Sequence, residues 1–286
     1  MHKLKSIRLT RALFLRGLLE GISHPIIKWA ETTDELEKAF NLVYEEYLKL
    51  GYIQEPNHSK IFFNIHNLLP NSATLVMKCG ENVISTLSRV RDDEHFGLPM
   101  DAVYSDELDR LRGQGRQICE FCALANSGAF RHRNLFMYLF RSMYLNAIET
   151  GVNDICIMVN PRHVTFYRRI LFFEDLGPEK LYSRVGQPAV ALRLNLDESG
   201  EKLKEAYQEC DPDCNLYHFV YEKYLNHVED EDALLCHTNR RRISAPVVRY
   251  FLNKEKDFFK SLLPIHKNYM LKKYPNLNLP EFAVGA

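Results

Sequence analysis

Hydrophobic and polar positions change period repeatedly between residues 26 and 198. The apolar run Ile26 to Ala30 reads as a short strand. Leu36, Phe40, Val43, Tyr44 and Tyr47 then recur at helical spacing. Thr33 is a candidate N-cap before Asp34 and Glu35, and Gly51 marks the stop. After a loop containing Pro56 and Pro70, residues Ala73 to Lys78 and Val83 to Val90 read as two strands across Gly80-Glu81-Asn82, a hairpin signal. A helical pattern spans Asp101 to Arg112, and Ile118 to Ala125 is a strand rich in small residues. Leu135, Leu139, Met143 and Ala147 form the stripe of a long helix that stops at Gly151. A buried strand at Ile155 to Val159, a short helix at Pro161 to Leu171 and a last strand at Ala189 to Leu196 complete the region. Strands paired first by a hairpin and then alternating with helices predict an α/β fold with a mixed sheet.

The flanks differ. In residues 1–25, Lys3, Lys5, Arg8, Arg11 and Arg16 interrupt Leu4, Ile7, Leu13, Phe14, Leu15, Leu18 and Leu19. Charge throughout the segment disagrees with a secretory signal, which needs a clean apolar stretch. The pattern predicts a basic amphipathic helix, docked on the body or making peripheral membrane contact. Residues 199–286 are richer in charge, with helical patterns at Leu203 to Tyr224 and Val247 to Lys260. The expected organisation is therefore a segment 1–25, a catalytic-type domain 26–198 and a helical C-terminal extension 199–286.

Charge and cysteine usage narrow the function classes. Thirty-seven Lys and Arg balance thirty-seven Asp and Glu. That leaves only Arg240-Arg241-Arg242 in favour of nucleic acid, which is not expected as a partner. No apolar run has the roughly 18–20 residues of a membrane span. Seven cysteines, an odd number without an export signal, predict reduced thiols and a cytoplasmic setting. Cys119 and Cys122 lie in a strand and read as structural. Cys210, Cys214, His218, Cys236 and His237 lack the paired C-x-x-C knuckles of a zinc site, so no metal is expected.

The candidate chemistry concentrates in residues 118–173. Ala129-Phe130-Arg131-His132-Arg133-Asn134 precedes the long helix, where free amides and basic side chains suit a phosphate. Glu120 is an acid in an otherwise apolar strand; a carboxylate there is costly unless it is paired or has a purpose. It is either a base or the partner of Arg89, Arg91 or Arg116.

Val159-Asn160-Pro161-Arg162-His163-Val164-Thr165-Phe166-Tyr167 resembles the segment of GNAT acyltransferases that runs into the helix beside the carrier thiol. The match narrows with Ser85-Thr86-Leu87-Ser88, Phe96-Gly97-Leu98-Pro99-Met100-Asp101, Glu107-Leu108-Asp109-Arg110-Leu111-Arg112, Gly115-Arg116-Gln117-Ile118-Cys119-Glu120 and Pro188-Ala189-Val190-Ala191-Leu192-Arg193-Leu194. Together, over roughly 30–198, these resemble the FeeM-type long-chain N-acyl amino acid synthases, a family related in fold to acyl-homoserine lactone synthases.

The resemblance implies a GNAT-like mixed central sheet flanked by helices. It implies transfer of a fatty acyl group from a phosphopantetheine thioester, on acyl carrier protein with acyl-CoA as the alternative donor, to the amine of an amino acid. No permanently bound cofactor is expected. Tyr167 would protonate the departing thiolate, and Glu120 would take the amine proton directly or through water. Arg131, Arg133, Asn134 and Asn160 would contact the pantetheine arm. The amides at Leu124 and Ala125 would receive the oxyanion, and Arg89 and Arg162 are candidates for the acceptor carboxylate. Phe121, Leu124, Phe136, Leu139, Phe140, Phe166 and Phe172 are candidates for the acyl slot. Two departures matter. No glycine follows Arg131-His132-Arg133, so a full pyrophosphate cradle is missing and carrier protein is favoured over free CoA. Ala123 stands where lactone synthases carry an arginine. The alternatives are a short-chain CoA-dependent N-acetyltransferase and a non-catalytic module that binds acyl groups or carrier protein.

Overall fold

The computed structural model describes residues 22–130, 135–222, 242–255 and 260–277. The N-terminal helix expected in residues 1–25 lies almost wholly outside them, as do Arg131, His132, Arg133, Asn134, Cys236, His237, Arg240 and Arg241. Seven strands form one sheet in the order β1-β2-β3-β4-β5-β7-β6. They are β1 (Pro25–Trp29), β2 (Ala73–Cys79), β3 (Asn82–Arg91), β4 (Ile118–Asn126), β5 (Asp154–Val159), β6 (Glu174–Tyr182) and β7 (Gln187–Asn195). Only the β4–β5 pair is parallel among these neighbours; the rest are antiparallel.

Helices cover both faces. α1 (Thr33–Lys49) and α2 (Asp101–Gly113) lie on one face; α3 (Phe136–Glu149) and α4 (Val164–Ile170) lie on the other. The predicted stripe of α3 is correct: Leu135, Leu139, Met143 and Ala147 are fully buried against the sheet. The α1 cap is one residue earlier than expected. Thr32, not Thr33, accepts the Glu35 amide through its side chain. The predicted helix at 161–171 begins as a 3-10 turn, Pro161–His163, and continues as α4.

Strand β6 was not foreseen. It is an edge strand carrying Glu174, Asp175, Glu179 and Lys180, so it has no alternating apolar face. It is held by packing instead. Gly177 lies so close to Tyr104 that a Cβ there would sit 2.8 Å from the ring. The Tyr104 hydroxyl donates to the carbonyls of Pro178 and Ala189. After β7, α5 (Leu196–Tyr207) precedes irregular turns, and α6 (Ala245–Lys254) and α7 (Pro264–Lys273) pack on the α1 face. The α5 helix starts seven residues before the position that periodicity suggested, behind the Asn195 side-chain cap.

One ionic cluster fastens the start of the parallel pair. Asp154, the first residue of β5, is fully buried and accepts from Arg116 at 2.5 and 3.0 Å and from Arg193 at 2.6 Å. Removing the carboxylate would leave two guanidinium groups facing a dry strand end. Asp154→Ala should lower unfolding free energy by about 3 kcal/mol in urea denaturation, whereas Asp197→Ala, at the exposed arm of the same network, should cost under about 1 kcal/mol.

Candidate active site

Strands β4 and β5 begin as neighbours and then part. Their pairing runs from Ile118↔Asp154 to Phe121↔Ile157 and ends there. On its other edge β4 carries a bulge. Thr86 pairs Ala125 and Ser88 pairs Cys122, so β4 has one residue more than β3 between the two pairs. Ala123 takes the left-handed conformation, φ 51°. Ala123 and Leu124 therefore have no register partner on either neighbouring strand. Both residues line the gap between β4 and β5.

A cleft of about 260 Å³ opens at this gap. Its walls come from both faces of the sheet. On the α3 face it meets Leu87, Phe121, Phe136, Phe140, Ile157, Tyr167 and Phe173. On the α1–α2 face it meets Tyr47, Tyr52, Phe62, Phe63, Asn64, Asn67, Glu120, Cys122, Tyr182 and Arg184. Parity explains the division: Phe121 points to α3, and Glu120 and Cys122 point the opposite way.

Glu120 is 2% exposed. Its Oε2 accepts the Met100 amide at 2.7 Å. Among the described residues no salt bridge includes it. Arg116 is engaged with Asp154 and Asp197, Arg89 with Asn146 and Thr150, and Arg91 with the Thr150 carbonyl. Burial pushes the Glu120 carboxyl up to about 8; the Met100 amide opposes that shift, and Asp101 adds a little to it.

The Met100 amide is firmly placed. Arg112 bridges Asp92 and Asp101, and Asp101 in turn accepts the Leu98 amide at 2.6 Å. Farther out, the Tyr269 hydroxyl of α7 donates to Asp93, and His266 stacks on Phe96 and donates to the His95 carbonyl.

Tyr167 is half-buried on α4 and lines the cleft. Its ring packs edge-on against Phe136 and Phe173. Burial holds its phenol above the ordinary tyrosine range, so it stays protonated. Phe172, at φ 59°, turns the chain so that the Phe173 amide donates back to the Tyr167 carbonyl at 3.1 Å.

A family model for the N-acyl amino acid synthase FeeM matches residues 38–195, more than half of the chain. The chain belongs to the FeeM family. FeeM itself, an N-acyl amino acid synthase from uncultured soil microbes, shares 27% identity with a TM-score of 0.55, over 62% of this chain and 95% of that one. More distant likenesses include the AHL synthase LasI, with 15% identity and a TM-score of 0.47 over 61% of this chain and 91% of that one. An acyl-CoA N-acyltransferase from Pseudomonas aeruginosa has 14% identity and a TM-score of 0.42, over 59% and 97%. A search of curated proteins finds no match. The fold is the GNAT-like acyltransferase fold, and the protein is an N-acyltransferase.

Within that family frame, the cleft brings together Glu120, Tyr167, Leu124, Asn160 and Arg162. Asn160 caps the turn after β5 by accepting the Arg162 amide. Arg162 reaches Tyr52 across the mouth. Two expected residues lie elsewhere. Arg89 pairs with Phe121 in register, so its buried guanidinium points to α3, where it donates to Asn146 and Thr150. Ala125 is back in register with Thr86 and packs on Leu42 and Val43. Of the expected slot residues, Phe121, Leu124, Phe136 and Phe140 line the cleft, whereas Leu139 is core and Phe166 and Phe172 do not line it. The unforeseen members are Ala123, Asn67 and Arg184. A non-glycine left-handed residue and a polar turn residue leave no periodic signal.

Two outcomes follow from this geometry. A carboxyl with a value near 8 is mostly protonated at pH 7, so a reaction that uses its ionised form should gain kcat/KM about tenfold per pH unit well below 8 and level above 8. The folded value exceeds the usual 4.5, so the unfolded chain ionises first, and stability is lost as pH rises from about 4.5 to 8. Glu120→Gln should therefore melt above the wild type at pH 8 but not at pH 4. At the bulge, Ala123→Gly should keep activity, while Ala123→Val, a β-branched residue in the left-handed region, should cost about 1–3 kcal/mol of stability and most of the activity.

Proposed function

We propose that this N-acyltransferase moves a long-chain fatty acyl group from a phosphopantetheine thioester on acyl carrier protein to the amine of an amino acid. The observation that carries this is a buried carboxylate, Glu120, with no salt bridge among the described residues, at the point where β4 and β5 part.

The chemistry runs as follows. An amino acid enters with its amine protonated. Its ammonium meets Glu120, whose ionised form it stabilises. The carboxylate takes one amine proton, directly or through water, and the free amine attacks the thioester carbonyl. Negative charge on the carbonyl oxygen is met by the backbone amides of the bulge at Ala123 and Leu124. Collapse forms the amide and expels the thiolate, which takes up the second amine proton and leaves as the thiol. Tyr167, a phenol with a raised pKa, acts mainly by donating a hydrogen bond to the sulfur, because full transfer to a thiolate of value about 8–9 is uphill from it. Arg131, Arg133 and Asn134 keep their proposed contacts to the arm's single phosphodiester, as does Asn160 to the arm beside it. Phe121, Phe136 and Phe140 supply the apolar wall for the acyl chain.

The test is mass spectrometry of products from long-chain acyl carrier protein, or the matching acyl-CoA, with all twenty amino acids. An N-acyl amino acid should form faster from carrier protein. Glu120→Gln should reduce the rate by about 10²-fold or more, and Tyr167→Phe by about tenfold. Acetyl-CoA as the better donor would replace this reading with a short-chain N-acetyltransferase.

A further inference from the structure

The Glu120 chamber holds one group whose chemistry the base does not explain. Asn67 sits on a 3-10 turn, Ile65–Leu68, and is 1% exposed. Its Oδ1 accepts the Asn64 amide at 2.9 Å, and its own amide donates to Asn64 Oδ1, so the capping box fixes the side chain. Asn67 lines the cleft, and its Nδ2 group is buried with no acceptor among the described residues. A buried amide donor without a partner costs free energy, which a ligand's acceptor would recover.

Arg184 stands beside it on the cleft wall, in the turn between β6 and β7. It is anchored but not neutralised. Nη2 donates to the Phe63 carbonyl at 2.7 Å, and the guanidinium lies 4.8 Å from the centre of the Phe62 ring. Among the described residues no salt bridge includes it. Its positive charge reaches Tyr182 and Cys122, the same two side chains that feel the negative charge of Glu120. The chamber is thus bounded by a carboxylate on β4 and a guanidinium on the β6–β7 turn, the two charges a zwitterion presents in reverse.

We infer that Arg184 and the Asn67 amide bind the carboxylate of the acceptor, and so select free amino acids over esters and simple amines. This rests on the acyltransfer reading above. It gives the carboxylate role, which Arg89 is turned away from, to a cation on the Glu120 side of the sheet. Arg162 lines the same cleft from the turn after β5, but its guanidinium is tied to His163 and Tyr52.

The experiment uses long-chain acyl carrier protein and three acceptors. These are the amino acid that yields most product from the mixture of twenty, its methyl ester, and the amine lacking its carboxyl group. The wild type should prefer the free acid strongly. Arg184→Gln should raise KM for the free acid by about tenfold or more with little change in kcat, and collapse the acid-to-ester preference. Arg184→Lys should restore part of that preference. Asn67→Asp keeps the Oδ1 acceptor of the cap, loses the donor and adds repulsion; it should raise the same KM, with its melting temperature measured alongside. Equal loss on acid and ester in Arg184→Gln would overturn the inference, as would collapse of the preference in Arg162→Gln instead. If the wild type makes product from acid and ester equally, the carboxylate site fails while acyltransfer stands. If no acceptor yields product, the acyltransfer reading itself fails.

Discussion

The parting of β4 from β5 is the constraint on which the site depends. Two parallel strands left to themselves would pair along their length and close the sheet. Here they are held at one end and released at the other. Asp154 and its two arginines fasten the start, where neither strand can slide. Four residues later the pairing stops, and the bulge at Ala123 turns β4 out of register with β3 as well. Two residues, Ala123 and Leu124, are thereby left without a register partner and line the cleft. The left-handed Ala123 costs about 1–2 kcal/mol relative to ordinary strand geometry, and the well-packed cores on either face absorb that cost.

Glu120 shows the same exchange of stability for chemistry. Its carboxylate is buried, has no salt bridge among the described residues and rests on the Met100 amide. That amide must not move, and the chain spends many contacts on holding it. Arg112 ties the loop before it to the start of α2, and α7 reaches the loop from the far end of the sequence through Tyr269 and His266. The match to FeeM spans 62% of this chain, so the family likeness covers only part of it. The C-terminal helices are packed into the support of the loop that carries the Met100 amide, a role beyond filling the surface of α1.

Most elements were legible because their burial is periodic. The α3 stripe, the β2–β3 hairpin and the short helix bearing Tyr167 follow from spacing alone. The family motifs likewise led to Glu120 and Tyr167, which share one cleft. What could not be read lacks a periodic cause. Strand β6 is polar on an edge, and only Gly177 against Tyr104 explains its place. The bulge is invisible because alanine carries no mark of positive φ. Arg89 was misplaced for a register reason. It lies across from Phe121, not Glu120, and one step along a strand moves a side chain to the opposite face. Arg184 escaped notice because a turn arginine looks like any solvated surface cation until the fold brings it beside Asn67.

On the proposed reading, the gap also explains how one cleft can take two unlike substrates. The wall toward α3 is aromatic and aliphatic, made by Phe121, Phe136, Phe140 and Ile157; it offers an acyl chain nothing polar to desolvate. The wall toward α1 and α2 carries Asn67, Glu120 and Arg184, which suits a charged acceptor. A sheet ordinarily separates two such environments completely. Where β4 and β5 part, the separation is lost over a few residues, and only there can an apolar thioester meet a zwitterion. On the proposed reading, the bond is made at that opening because each reactant approaches from the face that solvates it, and the bulged backbone lies between them.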